Sequence, residues 1–188
     1  MSSSFQDVLR RVGVDRAAAT LRYRAQSELP FINTAEPTKP KLLFDTTVYI
    51  DTLQMKYPAE TAGWTDQCEQ WHSPVTEAEL AYSCGRLNPH HPGTAAIVSK
   101  ITESIGKRPV QRILYPDRET WQEAAVLCGV LARLQQHEKS GTSRLLNDAL
   151  IFSTAQKHDC TVLTRNLRDF DLMLQIVPAG RVLFYQCS

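Results

Sequence analysis

Residues 145–171 read LLNDALIFSTAQKHDCTVLTRNLRDFD, a stretch of helical character followed at once by a short apolar run and its polar exit. The apolar side chains of SRLLNDALIFSTAQKHD (143–159) predict a helix, and CTVLTRN (160–166) predicts a buried strand. Asp148 interrupts an otherwise apolar run made by Leu145, Leu146, Ala149, Leu150, Ile151 and Phe152. On a helix its neighbours three and four residues away include Arg144, Leu145, Ile151 and Phe152, so the carboxylate lies on a largely apolar stripe. A carboxylate held there pays desolvation unless a cation or hydrogen-bond donors compensate it. Arg144 offers the plain structural alternative, a surface ion pair.

Outward from this unit the helix–strand alternation continues. KLLFD (41–45) is a short strand ending on an acid, and TTVYIDTLQMKY continues it as a helix. WHSPVT is a second strand candidate, followed by helical EAELAYSCGRL and GTAAIVSKITESI. VQRILYP reads as a strand or an extended connector. DRETWQEAAVLCGVLARLQQHEK is the strongest helix, with Asp117 as its cap and a broad apolar face from Trp121 to Leu134. GRVLFYQ is a final strand. Short strands alternating with helices predict an α/β sandwich around a mainly parallel sheet.

In such sheets chemistry gathers outside the carboxyl ends of the strands. Asp45 falls at the end of the first strand, where it also reads as an ordinary helix N-cap. Glu79 is expected in the first turn of the helix after the second strand. Asn166 and Asp169 follow Val162, Leu163 and Thr164 at a third exit. With Asp148, four acids converge on one edge of the sheet. Clustered carboxylates repel one another and raise their own pKa values unless a divalent cation sits among them. Oxygen ligands without Cys or His select Mg²⁺ or Mn²⁺ over Zn²⁺. Such an ion binds a phosphate oxygen and activates a water for in-line attack, the chemistry of a phosphodiester nuclease.

The rest of the chain bounds the function. Its 188 residues, 43% hydrophobic and 22% charged, exclude disorder over most of the length and fit one domain with an extension. A net charge of +1 argues against a polyanion binder of the histone or ribosomal type. No apolar run spans a bilayer and the N-terminus lacks a signal-peptide core, so the expectation is a soluble, cytoplasmic protein without a membrane. Cys68, Cys84, Cys128, Cys160 and Cys187 form an odd set with no CxxC pair, against a disulfide framework or a zinc site. Residues 1–40 read as an arm: one amphipathic helix to about residue 26, then a Pro-containing linker. Residues 1–41 hold seven basic and four acidic side chains, which makes this segment +3 and leaves the remainder at −2. The arm's polar face, with Arg10, Arg11, Arg16, Arg22 and Arg24, suits either a solvated docking helix or a contact surface for RNA or a partner.

LLFDTTVYID, SPVTEAELAYSCGR and LLNDALIFSTAQKHDCTVLTRNLRDFD together resemble the PIN-domain nucleases, in particular the VapC- and FitB-type toxins of bacterial toxin–antitoxin pairs. The match covers about residues 42–186, and NDALI, TRN and DF in that order are its most specific part. The resemblance implies a PIN-like three-layer α/β/α sandwich with a five-stranded, mainly parallel sheet over residues 41–188, and Mg²⁺ or Mn²⁺ dependence. It implies Asp45, Glu79, Asp148 and Asp169 as the metal-binding and catalytic set, with Glu79 preferred over Glu77. Asn166, Thr46 and Thr164 are implied as residues that orient these carboxylates. RNA is the implied substrate, with Arg86, Arg165 and Arg168 as candidate phosphate contacts. A cognate antitoxin and a homodimer, using apolar helix faces near residues 77–106, follow from the same likeness. Two features depart from the pattern: the long arm, and the loop with His90, His91 and Pro92, which reads as a turn rather than a ligand pair.

The leading expectation is therefore a metal-dependent endoribonuclease leaving a 5′-phosphate and a 3′-hydroxyl. The alternative is a non-catalytic PIN-like scaffold acting through the arm, which has no physical need to keep four clustered acids. An unrelated phosphatase or hydrolase is disfavoured by the absence of a D-x-D motif, a P-loop or a nucleophile elbow.

Overall fold

The computed structural model describes residues 4–15, 21–33, 38–135 and 142–187. Four short parallel strands form its sheet: β1 (Lys41–Phe44), β2 (Glu69–Trp71), β3 (Thr161–Thr164) and β4 (Val182–Phe184), in the order β2-β1-β3-β4. Parallel neighbours require crossovers, and these are helical. They are α2 (Thr46–Leu53), α3 (Ala59–Thr65), α4 (Pro74–Arg86), α5 (Thr94–Gly106), α6 (Arg118–Gln135), α7 (Thr142–Lys157) and α8 (Leu167–Ile176), with α1 (Phe5–Val12) ahead of the sheet.

Strand alternation sorts the core into two layers. Leu43, Val162, Val182 and Phe184 pack with side chains of α1, α6, α7 and α8. Leu42, Phe44 and Leu163 face the other way, onto Val48, Tyr49, Trp64, Leu80 and Ile101. The three-layer arrangement thus follows from strands that are apolar on both faces.

Four strands, not the five expected, pair in ladders among the described residues. The missing strand is VQRILYP. Val110–Arg112 winds into a single 3-10 turn, and only Ile113 bridges His72, through His72 N–H to Arg112 O and Leu114 N–H to His72 O, both 2.9 Å. Pro109 and Pro116 bracket this segment and remove donors that a longer ladder would need. At the other edge Phe31 of the arm bridges Phe184, with Ile32 N–H donating to Phe184 O and Phe184 N–H to Pro30 O.

Three further expectations shift. β2 lies at 69–71, ahead of the anticipated WHSPVT, because Ser73 caps α4 and Pro74 occupies its first turn. Residues 167–176, for which the sequence pattern alone suggests no element, form α8 under the Asn166 cap. The arm helix ends at Val12 rather than near 26: Gly13 adopts a left-handed conformation (φ 73°) and closes the helix. Ala17, Ala18, Ala19 and Arg16, which supported the longer helix, lie outside the described residues.

The arm is docked. Val8 and Val12 are buried, and Arg11 pairs with Glu119 and, at 2.6 Å, with Glu123 of α6. Arg10 pairs with Asp7, Arg22 with Glu28, and Arg24 with buried Asp171 at 2.5 Å. Each described arm arginine therefore meets an acid of this chain.

Candidate active site

The acids cluster because each stands where a strand or helix points toward the carboxyl edge of the sheet. Asp45 directly follows β1 and caps α2; its carboxylate accepts from the Thr47 hydroxyl (2.7 Å) and backbone N–H (3.3 Å). The Thr164 hydroxyl at the end of β3 donates to the same carboxylate at 2.7 Å. These two threonines also receive the β3 exit loop: Arg165 N–H donates to Thr47 Oγ1 (3.0 Å) and Asn166 N–H to Thr164 Oγ1 (2.9 Å). Two consecutive backbone donors are thereby fixed to Asp45 through one hydroxyl each.

Asp148 sits on α7 and is 8% exposed. Its carboxylate accepts from Asn166 Nδ2 at 3.0 Å, and that nitrogen also donates to Asp169 at 2.8 Å. Asn166 is the N-cap of α8, where its own carbonyl oxygen accepts from Asp169 N–H. Glu79 lies in the second turn of α4, one turn later than expected, since the helix begins at Pro74. It accepts from the Thr46 hydroxyl and, at 2.9 Å, from Asn147 Nδ2. Glu77 turns away toward Arg108 at 3.3 Å.

Burial, then repulsion by Asp45, Asp169 and Glu79, pushes the Asp148 carboxyl up to about 9. Burial raises Asp45 as well, against the hydroxyl bonds from Thr164 and Thr47. Among the described residues none of the four acids has a cationic partner within 4 Å, and Arg144 does not reach Asp148. Crowded carboxylates without a counter-charge, on oxygen donors only, match a hard divalent cation in charge and chemistry. Their oxygens rest on hydroxyls and amides, and no three acids among the described residues stand together in ligating geometry.

The three candidate arginines lie in different settings. Arg165 forms a two-pronged pair with Asp51, at 2.6 and 2.9 Å. Asp51, 1% exposed, also accepts from the Tyr185 hydroxyl at 2.7 Å. Arg168 lies across the Tyr23 ring, and Arg86 is exposed beside Tyr82 of its own helix. His90 and His91 sit in an exposed turn where Asn88 and His91 side chains cap backbone N–H groups. A cleft of about 690 Å³ lies elsewhere, lined by Arg11, Glu119, Lys157 and Arg181 among others.

Sequence reasoning missed Thr47, Asn147 and Asp51. Asn147 adjoins Asp148, and Thr47 completes an Asp-x-Thr cap, so both left a signal. Asp51 left none, because it acts through a tertiary pair.

Residues 42–173 match the PIN domain family. The chain belongs to the PIN-domain family. PIN domains are generally divalent-metal-dependent nucleases, in keeping with the four-acid edge. The match begins at Leu42, so the arm precedes it. The PIN fold here is similar to a chain in the structure of VapBC2 from Rickettsia felis bound to a promoter DNA fragment. That pair has 15% identity and TM-score 0.56, covering 78% of this chain and 99% of that one. FitAcB from Neisseria gonorrhoeae gives 22% identity and TM-score 0.54, covering 77% and 96%. DNA-bound VapBC from Salmonella typhimurium gives 20% and 0.55, covering 77% and 98%. No curated protein matches the chain. No helix among the described residues is long and apolar enough to cross a membrane.

Proposed function

We propose that this PIN domain is a metal-dependent endoribonuclease and the toxin of a cytoplasmic toxin–antitoxin pair. The observation that carries the reading is the uncompensated carboxylate edge, above all Asp148, whose carboxyl is raised by burial and by three neighbouring acids. Asp45, Glu79, Asp148 and Asp169 would hold Mg²⁺ or Mn²⁺. Bound there, the ion polarises a phosphate oxygen and lowers the pKa of the attacking water. The chain's own groups supply the rest. Thr47 and Thr164 keep Asp45 aimed at the edge, and Thr46 and Asn147 do so for Glu79. Asn166 spaces Asp148 from Asp169, which leaves Asp169 to orient the water.

Cleavage would leave a 5′-phosphate and a 3′-hydroxyl. The antitoxin and homodimer readings rest on likeness to the VapBC and FitAB assemblies, with the exposed face of α4 and α5 as the dimer surface. The test is incubation of the purified chain with total RNA, with and without Mg²⁺ or Mn²⁺, beside Asp148→Asn. Discrete metal-dependent fragments, absent from the variant, support the reading. Full cleavage by a clean preparation of the folded variant sinks it, and absence of both cleavage and metal binding moves the assignment to a scaffold.

A further inference from the structure

The arm brings an aromatic ring to the rim of the carboxylate edge. Residues 22–24 are pinned along α8. Gln175 Nε2 donates to Arg22 O (2.8 Å), and Arg24 donates to Asp171 through its backbone N–H (3.0 Å) and Nε (2.5 Å). Passing from Gln175 to Asp171, the arm advances toward the N-terminus of α8, the end that carries Asn166 and Asp169. Tyr23, between the two anchors, reaches the first turn of that helix. There the Arg168 guanidinium lies 4.8 Å from the ring centroid and donates to the Tyr23 hydroxyl at 3.1 Å.

This arrangement is costly for what it buries. The backbone on both sides of Tyr23 is immobilised, yet the residue stays 49% exposed. Arg168 has no ion-pair partner among the described residues, and its neighbour Asp169 adds only a through-space attraction. An immobile, half-exposed ring beside an unneutralised guanidinium is what single-stranded nucleic acid binds: the ring stacks a base and the cation meets the adjoining phosphate. Arg168 also stands in the first turn of α8, where the helix dipole favours an anion. A ring fixed in advance loses little freedom on binding.

We propose that Tyr23 and Arg168 form a nucleotide subsite that stacks one base of a single-stranded RNA and holds its phosphate next to the carboxylate edge. The subsite deepens the nuclease reading and rests on it for its role in cleavage, whereas its binding is measurable separately. By this assignment the arm, though outside the residues matched to the PIN family, is part of the substrate surface.

The test uses the full chain and a fluorescein-labelled 12-nucleotide RNA of mixed sequence, with affinity read by anisotropy in EDTA, where no cleavage occurs. Tyr23→Phe is expected to bind within about twofold of the unaltered chain. Tyr23→Leu, which keeps bulk and loses the π-face, is expected to weaken binding on the order of 5- to 100-fold. The salt slope should stay unchanged for Tyr23→Leu and fall by about one for Arg168→Gln. A probe with abasic sites should bind the unaltered chain and Tyr23→Leu alike. Circular dichroism verifies folding of each variant, and Phe5→Ala, on the far half of the arm, serves as the control.

Undiminished RNA affinity in folded Tyr23→Leu overturns the subsite and leaves the ring to a protein partner. Equal weakening toward intact and abasic probes also overturns it, since the ring would then act only by holding Arg168. Mn²⁺-dependent cleavage by the unaltered chain is scored in parallel. Its absence, with stacking intact, refutes the nuclease and spares the subsite.

Discussion

Asn166 donates its amide N–H to the Asp148 carboxylate across 3.0 Å, and the same nitrogen serves Asp169 at 2.8 Å. One neutral donor thus separates two acids that no cation compensates among the described residues. Repulsion of this kind destabilises the folded chain until something of opposite charge arrives. Asp148→Asn should therefore raise the thermal midpoint in EDTA by several degrees. In millimolar Mn²⁺ the unaltered chain should gain stability and the variant should not. Differential scanning fluorimetry reads both, and an unaltered chain indifferent to Mn²⁺ refutes the metal site.

His72, directly after β2, sets a pH dependence of its own. Its Nδ1 lies 2.5 Å from the Tyr49 hydroxyl, and Arg108 stacks 4.0 Å from the Tyr49 ring centroid. Burial, then the nearby Arg108 charge, lowers the His72 imidazole to about 4 from an ordinary 6.5. The folded chain thus binds this proton less readily than the unfolded chain. The stabilisation is complete above pH 6.5 and is lost as pH falls toward 4, a difference on the order of 3 kcal/mol. Urea titrations from pH 7.5 to 4.5 should show the loss, and His72→Gln should flatten it.

Asp51 has three partners from distant parts of the chain: Arg165, Tyr185 and Cys187, whose thiol lies at 3.3 Å. Asp51→Ala leaves the Tyr185 hydroxyl buried without its acceptor and frees the loop that carries Asn166. A loss of roughly 2–4 kcal/mol in urea unfolding is expected. Asp51→Asn, which keeps an acceptor, should cost less.

Gly180 turns the chain into β4 beneath the Phe152 ring. A Cβ built there overlaps that fully buried ring and comes within 3.2 Å of Val177 O, so neither neighbour yields easily. Gly180→Ala should destabilise by about 1–3 kcal/mol. A midpoint shift in denaturant at constant slope would identify it as overpacking.

The sheet and its two core layers are legible because Leu42, Leu43 and Phe44 of β1 and Val162 and Leu163 of β3 are buried apolar runs, and each strand ends on a polar exit. Asp45, Asp148 and Asp169 stood out as acids in apolar or strand-exit settings, and the structure brings them to one edge with Glu79. What escaped was tertiary. Nothing local in VQRILYP distinguishes a strand from one bridging residue between two prolines. Nothing local in TTVYID announces that Asp51 clamps Arg165. Ala17–Ala19 favour helix and lengthen the expected arm helix, although Gly13 marks its stop.

The later half of the arm is synthesised long before the groups it settles on. Its partners lie 147, 153 and 160 residues downstream, in the pairs Arg24–Asp171, Arg22–Gln175 and Gln26–Gln186. On a ribosome these contacts stay out of reach until the C-terminal strand has emerged. Loop closure over such separations is slow relative to local helix formation. The Tyr23–Arg168 pair therefore assembles only after α8 has been made, 145 residues after Tyr23, when Asp45, Glu79 and Asp148 are already in place along the chain.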